Sequence, residues 1–353
     1  MLLLSLPDPR SDEVDAMRRL LDSPLDWNQV LGMLTVHRVL GVAWHNVLLY
    51  AIERRQRLRS AYFLKSLRVS AAGQRLMAGE QTELTVQVQR ALSDAGLRSA
   101  VLKGGAVAKM AYPDPSMRMF NDNDLLVDRE RLPEVETVLR ELGYVQGSWD
   151  YATASVRPAP RREALFLALH SHQTYSYMKP TPQAQALECH RLDMHFSIDL
   201  MTGHRSDAAV SALLDSRIEI DGMTTISATD MLVFTCLHFA REAVHRGEVL
   251  ALKDLVLYKV VDILALLAAY DMSDVPDRAA QLGFAREVYF ALHHAADLFP
   301  GRVPADLLDR LRPDDLAYLD EVNDGHAVVH RWRTPMIQRM FDIHRLRELT
   351  EST

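Results

Sequence analysis

Two aspartates one residue apart, Asp122 and Asp124, open the apolar run Leu125-Leu126-Val127. On a strand, residues two apart leave the same face, so both carboxylates aim at one locus. At the start of a buried strand such a pair repels itself and loses solvation. A hard divalent cation relieves both costs, because Mg2+ takes oxygen ligands from one or two carboxylates and the remainder from water and substrate phosphate. Alone, Asp-x-Asp fits solvated or capping carboxylates equally well. Its surroundings narrow the reading.

Upstream stands Lys103-Gly104-Gly105, placed where a short strand turns into a helix. Glycine lets backbone amides approach an anion closely, the helix start favours negative charge, and the lysine adds a positive one. Arg118, at the end of the loop before the aspartates, either adds a bidentate phosphate contact or braces its loop. A third carboxylate is expected on a neighbouring strand within 187–198. Alternation puts Leu192, Met194, Phe196 and Ile198 on one face and Asp193, His195 and Ser197 on the other. Asp193 is therefore the preferred third ligand, with His195 beside it. Glu188 reaches the same face only if a bulge resets the register.

Positioning these groups requires a small sheet. The pattern predicts helices from Ser11 to Gly96, the last over roughly 80–95 and stopped by Gly96. A strand over 99–102 follows, then a helix over 106–112, a strand over 121–127 and a helix over 132–142 closed by Gly143. Further strands are expected over 164–172 and 187–198, with the Pro/Arg-rich run 157–162 as an exposed connection between strands. Beyond Asp199 the pattern is helical again. Ser227-Ala228-Thr229-Asp230 resembles a capping box, and 250–270 reads as one long buried helix. The expected class is α+β: a small mixed-sheet core over 80–200, flanked by helical regions over 1–79 and 201–353.

The residues Leu102-Lys103-Gly104-Gly105, Tyr112-Pro113, Arg118, Asp122-Asn123-Asp124-Leu125-Leu126-Val127, Gly143-Tyr144 and Asp193-Met194-His195 resemble a bacterial family of uncharacterised nucleotidyltransferases in the polymerase-beta-like superfamily. The likeness continues through His37-Arg38-Val39, Leu237-His238 and Val261-Asp262-Ile263, so it covers most of the chain. The chain departs from the wider superfamily in having Gly-Gly where Gly-Ser is common, and a longer interval from Gly105 to Asp122. The resemblance implies transfer of a nucleoside monophosphate from a nucleoside triphosphate, ATP being the expected donor, to an acceptor hydroxyl with release of pyrophosphate. It implies Mg2+, with Mn2+ as substitute, on Asp122, Asp124 and Asp193. Lys103, Gly104, Gly105 and Arg118 would bind the nucleotide, and His195 would support the metal site from behind.

The chain as a whole limits the alternatives. Its 353 residues are 48% hydrophobic and 25% charged, ordinary for a globular protein with a sizeable core. Forty basic against 47 acidic side chains leave a net charge of -7, which disfavours nucleic acid as the main partner. The stretch Arg54, Arg55, Arg57, Arg59, Lys65 and Arg68 keeps an RNA-end acceptor open, although an exposed helical face explains it more simply. Small molecules or peptide and protein side chains are the preferred acceptors, and a catalytically silent nucleotide-binding module is the remaining alternative. Cys189 and Cys236 are too few for a disulfide framework. His170 with His172, and His238 with His245, lack a fixed metal-ligand spacing. Asp262 reads as a buried structural acid needing a partner. With no basic leader and no apolar run near the ~20 residues of a membrane span, the expectation is a cytoplasmic protein with no membrane contact.

Overall fold

A computed structural model describes residues 1–50, 61–199 and 207–351. They fall into two compact units, Met1–Ile198 with Thr202–Ser227, and Asp199–Met201 with Ala228–Thr353. The first unit opens with helices α1 (Ser11–Leu21), α2 (Trp27–Val36), α3 (Leu40–Tyr50) and α4 (Ala61–Asp94). The predicted helix over 80–95 is thus the second half of a much longer one, and position 79 lies inside it. Arg54, Arg55, Arg57 and Arg59 of the basic stretch lie outside the described residues.

Helix α4 is long because its buried positions keep helical spacing for eight turns. Phe63, Leu67, Ala71, Gln74, Ala78, Gln81, Thr85, Val88 and Leu92 form one continuous seam. The polar members of the seam are used. Gln74 Nε2 donates to the Ser116 carbonyl at 2.6 Å, and Gln81 Nε2 donates to the Phe120 carbonyl at 3.0 Å. Gln89 exchanges bonds of 2.7 and 3.1 Å with the Thr224 backbone. Buried amides bonded to backbone orient what they touch, so α4 holds the loop ahead of the acidic strand and the strand of Thr224.

After α4 come β1 (Ser99–Leu102), α5 (Gly104–Ala111), β2 (Asn123–Val127), α6 (Leu132–Glu141), β3 (Val145–Asp150), β4 (Ser155–Pro158), α7 (Arg161–His170), β5 (Tyr177–Pro180), β6 (Cys189–His195), α8 (Asp207–Asp215), β7 (Ile218–Ile220) and β8 (Met223–Thr225). The eight strands form one mixed sheet in the order β4-β3-β5-β6-β2-β1-β8-β7. Strand β2 lies in its middle, antiparallel to β1 and parallel to β6, and every residue of β1 and β2 is buried. Such central strands read as continuous apolar runs, and this one is interrupted on one face by Asp124.

Three expectations need correction. Residues 161–170 form helix α7, not a strand, and the strand expected over 164–172 does not exist. Apart from Phe166 and His170 the segment is Leu, Ala, Arg and Glu, with no β-branched residue, a composition that favours helix. Consequently the Pro/Arg-rich run leads from β4 into a helix instead of joining two strands. Thirdly, 250–270 is not one helix.

In the second unit, α9 (Ala228–Val244) starts where the capping signal predicted, and the Asp230 carboxylate takes Arg278 Nε at 2.5 Å and Nη2 at 3.1 Å. Then α10 (Arg246–Leu250) and α11 (Tyr258–Ala269) are separated by a turn. The break follows from competition for backbone carbonyls. The Lys259 ammonium takes those of Lys253 and Asp254 at 2.5 and 3.3 Å, and Leu252 stands at φ 57°. Helices α12 (Val275–Leu282), α13 (Ala285–Leu298) and α14 (Ala305–Leu311), the hairpin β9 (Glu321–Asn323) with β10 (Val328–Arg331), α15 (Met336–Phe341) and α16 (Leu346–Glu351) complete the unit. Asp262 is buried as expected. Among the described residues no helix is long and apolar enough to cross a membrane.

Candidate active site

The parallel register of β2 on β6 sets Asp124 opposite Asp193. Both are buried. Asp124 is held at both oxygens: His195 Nε2 lies 2.9 Å from Oδ1, and Lys103 Nζ lies 2.9 Å from Oδ2. Burial opposes its ionisation, but Lys103 and His195 outweigh burial and keep the carboxyl well below the usual range. Asp193 accepts from Arg191 Nη2 at 2.8 Å and Nε at 3.3 Å, and from the Ser176 hydroxyl.

Asp122 stands just ahead of β2 and behaves oppositely. Desolvation, then the charges of Asp124 and Asp193, push its carboxyl upward, with Arg191 and Lys103 only partly offsetting them. Ionisation is thus most costly at Asp122. Asp122, Asp124 and Asp193 act on one another electrostatically and are hard-oxygen donors of the type that suits Mg2+ or Mn2+, without forming a compact ligand group. A polar atom there lacks a partner: His195 Nδ1 is buried without a hydrogen bond. The His172 ring packs against that imidazole with centroids 5.1 Å apart.

Alternation along β2 and β6 sends the intervening side chains to the α4 face. Asn123 Nδ2 donates to Gln81 Oε1 at 3.1 Å and to the Arg191 carbonyl at 3.1 Å. His190 is enclosed by Thr85 at 3.1 Å, the Tyr144 hydroxyl at 2.7 Å and Asn123 at 3.2 Å. Burial lowers its pKa to about 3, so it stays neutral. Glu188 is exposed ahead of β6 and accepts from the Trp149 indole at 3.3 Å. The register therefore gives Asp193, not Glu188, to the cluster.

Lys103 caps the start of α5 with φ 46° and ψ −143°, a conformation that costs a non-glycine residue about 1–3 kcal/mol. Gly104 follows at φ 34°. Phe120 lies over both glycines: a Cβ on Gly104 would sit 3.5 Å from its Cβ, and one on Gly105 3.4 Å from its Cζ. The Arg118 guanidinium is buried and donates to the Met119 carbonyl. Beside this turn a cavity of about 510 Å³ lies between α4 and α5, lined among others by Arg75, Gly79, Glu83, Gly105, Lys109 and Phe120.

Arg191 and Ser176 were not singled out from the sequence. Arg191 was within reach, being two residues before Asp193 on the same strand face. Ser176 and His172 come from the segment before β5, which no spacing rule links to β6. Of the discounted histidines, His172 packs against His195, His170 ends α7, His238 pairs with Glu242 at 3.2 Å, and His245 caps α10. Cys189 and Cys236 are free thiols. Among the described residues, the one compact group of His, Cys, Asp and Glu ligand atoms, all within 4.8 Å, is His293, His294 and Asp297 on α13. There His294 Nε2 is 3.3 Å from the Leu319 carbonyl, and the nearby Arg339 charge disfavours a cation.

Comparison with curated proteins finds no match. The paired aspartates across β2 and β6, with a Lys-Gly-Gly turn beside them, lie inside the stretch 23–300 that matches the model of a family described as uncharacterised nucleotidyltransferase, and the chain belongs to that family.

Proposed function

We propose that this nucleotidyltransferase moves a nucleoside monophosphate from a nucleoside triphosphate, ATP being the expected donor, to a hydroxyl on a small molecule or a peptide or protein side chain. Pyrophosphate leaves. The observation that carries the reading is the pairing of Asp124 with Asp193 across adjacent strands, with Asp122 electrostatically coupled to both. These three would hold Mg2+ or Mn2+, which when bound neutralises charge on the attacking and leaving oxygens of an in-line displacement. Lys103 and the amides of Gly104 and Gly105 at the start of α5 would carry the triphosphate. His195 orients Asp124 from behind.

A low-molecular-weight acceptor is favoured over an RNA end by the net charge of -7. Incubation with an NTP, magnesium and a cell extract should release pyrophosphate and shift the mass of one extract component by a nucleoside monophosphate. Asp124→Asn should abolish both. Release that persists in Asp124→Asn would remove the aspartate cluster from the chemistry.

A further inference from the structure

Lys103 stands between two partners. Its ammonium is 2.9 Å from Asp124 Oδ2, and His195 lies 2.9 Å from Oδ1, so each oxygen of Asp124 already has one protein partner and the ammonium occupies the side from which a cation would meet Oδ2. Both side chains are largely enclosed, Lys103 at 14% and Asp124 at 11% exposure. A divalent cation arriving at Asp124 would meet an ammonium a few ångströms away in a poorly hydrated site, a strongly unfavourable encounter. Removing the ammonium with nothing in exchange would leave Asp124 buried with His195 as its remaining partner at these two oxygens.

The backbone indicates the other partner. Lys103 holds φ 46° and ψ −143°, a region glycine enters freely and lysine does not. That strained position is the N-cap of α5, so the ammonium pivots from the residue preceding the amides of Gly104 and Gly105. A phosphate seated on those amides would give the ammonium an anion to move to, next to Asp122, whose charge it already meets. The aspartates are also not gathered as a finished ligand set: the described residues hold one compact ligand group, and it is elsewhere, on α13.

We propose that Lys103 is an exchangeable counter-ion that blocks Asp124 to divalent cations until a nucleoside triphosphate draws the ammonium onto its phosphates. Nucleotide and cation then bind as a coupled pair, and the empty enzyme holds its charge balance with its own side chain. The proposal rests on the nucleotidyltransferase site described above.

The test is Mn2+ binding, followed by electron paramagnetic resonance, and separate binding of a non-hydrolysable ATP analogue, in wild type, Lys103→Met and Asp124→Asn. Lys103→Met should bind Mn2+ alone about tenfold or more tightly than wild type, while its affinity for the analogue falls about tenfold. A merely structural lysine would weaken both. Mn2+ affinity of Lys103→Met equal to or below wild type overturns the proposal. If Lys103→Met does not fold, as judged by circular dichroism, Lys103→Gly relieves the backbone and is read by the same two affinities. Failure of the underlying site is distinguishable: Mn2+ binding in the presence of the analogue would then be unaffected by Asp124→Asn.

Discussion

Every group that bears on Asp124 and Asp193 comes from a different rule of chain geometry. Asp122 and Asp124 share a face because side chains alternate, and Asp193 joins them because β6 pairs with β2 in a register that aligns like with like. That register also separates the two carboxylates the sequence left competing. Asp193→Asn should lower turnover roughly a hundredfold, since it removes a charged ligand while keeping shape and the Ser176 contact. Glu188→Gln should stay within about twofold of wild type, because its partner is an exposed indole bond. Initial rates of pyrophosphate release decide; equal losses in the two variants would mean the register argument has chosen wrongly. Residues on β2 and β6 were legible because period two needs no tertiary information. Ser176 was not, because its place beside β6 is set by the loop ahead of β5, and His172, noticed but discounted, reaches His195 from that same loop.

Elements act here through α4. Its seam keeps three glutamines inside, and each is spent on backbone of a segment near the cluster. Gln81 is the most consequential, holding the Phe120 carbonyl with one end and Asn123 with the other. Gln81→Leu takes this donor from the Phe120 carbonyl and removes one of three partners of the Asn123 amide, and should cost about 1–3 kcal/mol in denaturant unfolding. Because those groups flank Asp122, turnover should fall more than the affinity for the ATP analogue. Unchanged stability would show that α4 does not secure this loop. Strand β1, helix α6 and the start of α9 were readable from apolar periodicity, Gly stops and the capping signal. Helix α7 was not, since its exposed Leu165, Phe166 and Leu169 imitate a buried run. Nor was the break before α11, which depends on the Lys259 ammonium taking carbonyls that a helix would otherwise use.

Among the described residues, His190 in the first compact unit and His294 in the second are both lowered to about 3 mainly by burial. A histidine whose folded pKa is depressed stabilises the fold above its unfolded pKa near 6.5, and that stability drains away as pH falls toward 3. Each contributes a slope approaching roughly 1.4 kcal/mol per pH unit in that window. His190→Gln, which cannot titrate, should lose less stability than wild type between pH 7 and pH 5 by denaturant unfolding. Identical pH dependence would mean that His190 is protonated in the folded protein. Composition foretold a sizeable core and an acidic balance, while the joining of the N-terminal helices and the sheet into one unit rests on side chains of α4 that a count of apolar residues passes over. The central claim is that this molecule transfers the nucleotidyl group, and the most direct measurement uses ATP labelled at either the α- or the γ-phosphorus with magnesium and a cell extract. The account predicts α-label on the acceptor, γ-label in pyrophosphate, and neither with Asp122→Asn/Asp124→Asn. Appearance of γ-label on the acceptor, or of α-label with the double variant, would contradict it.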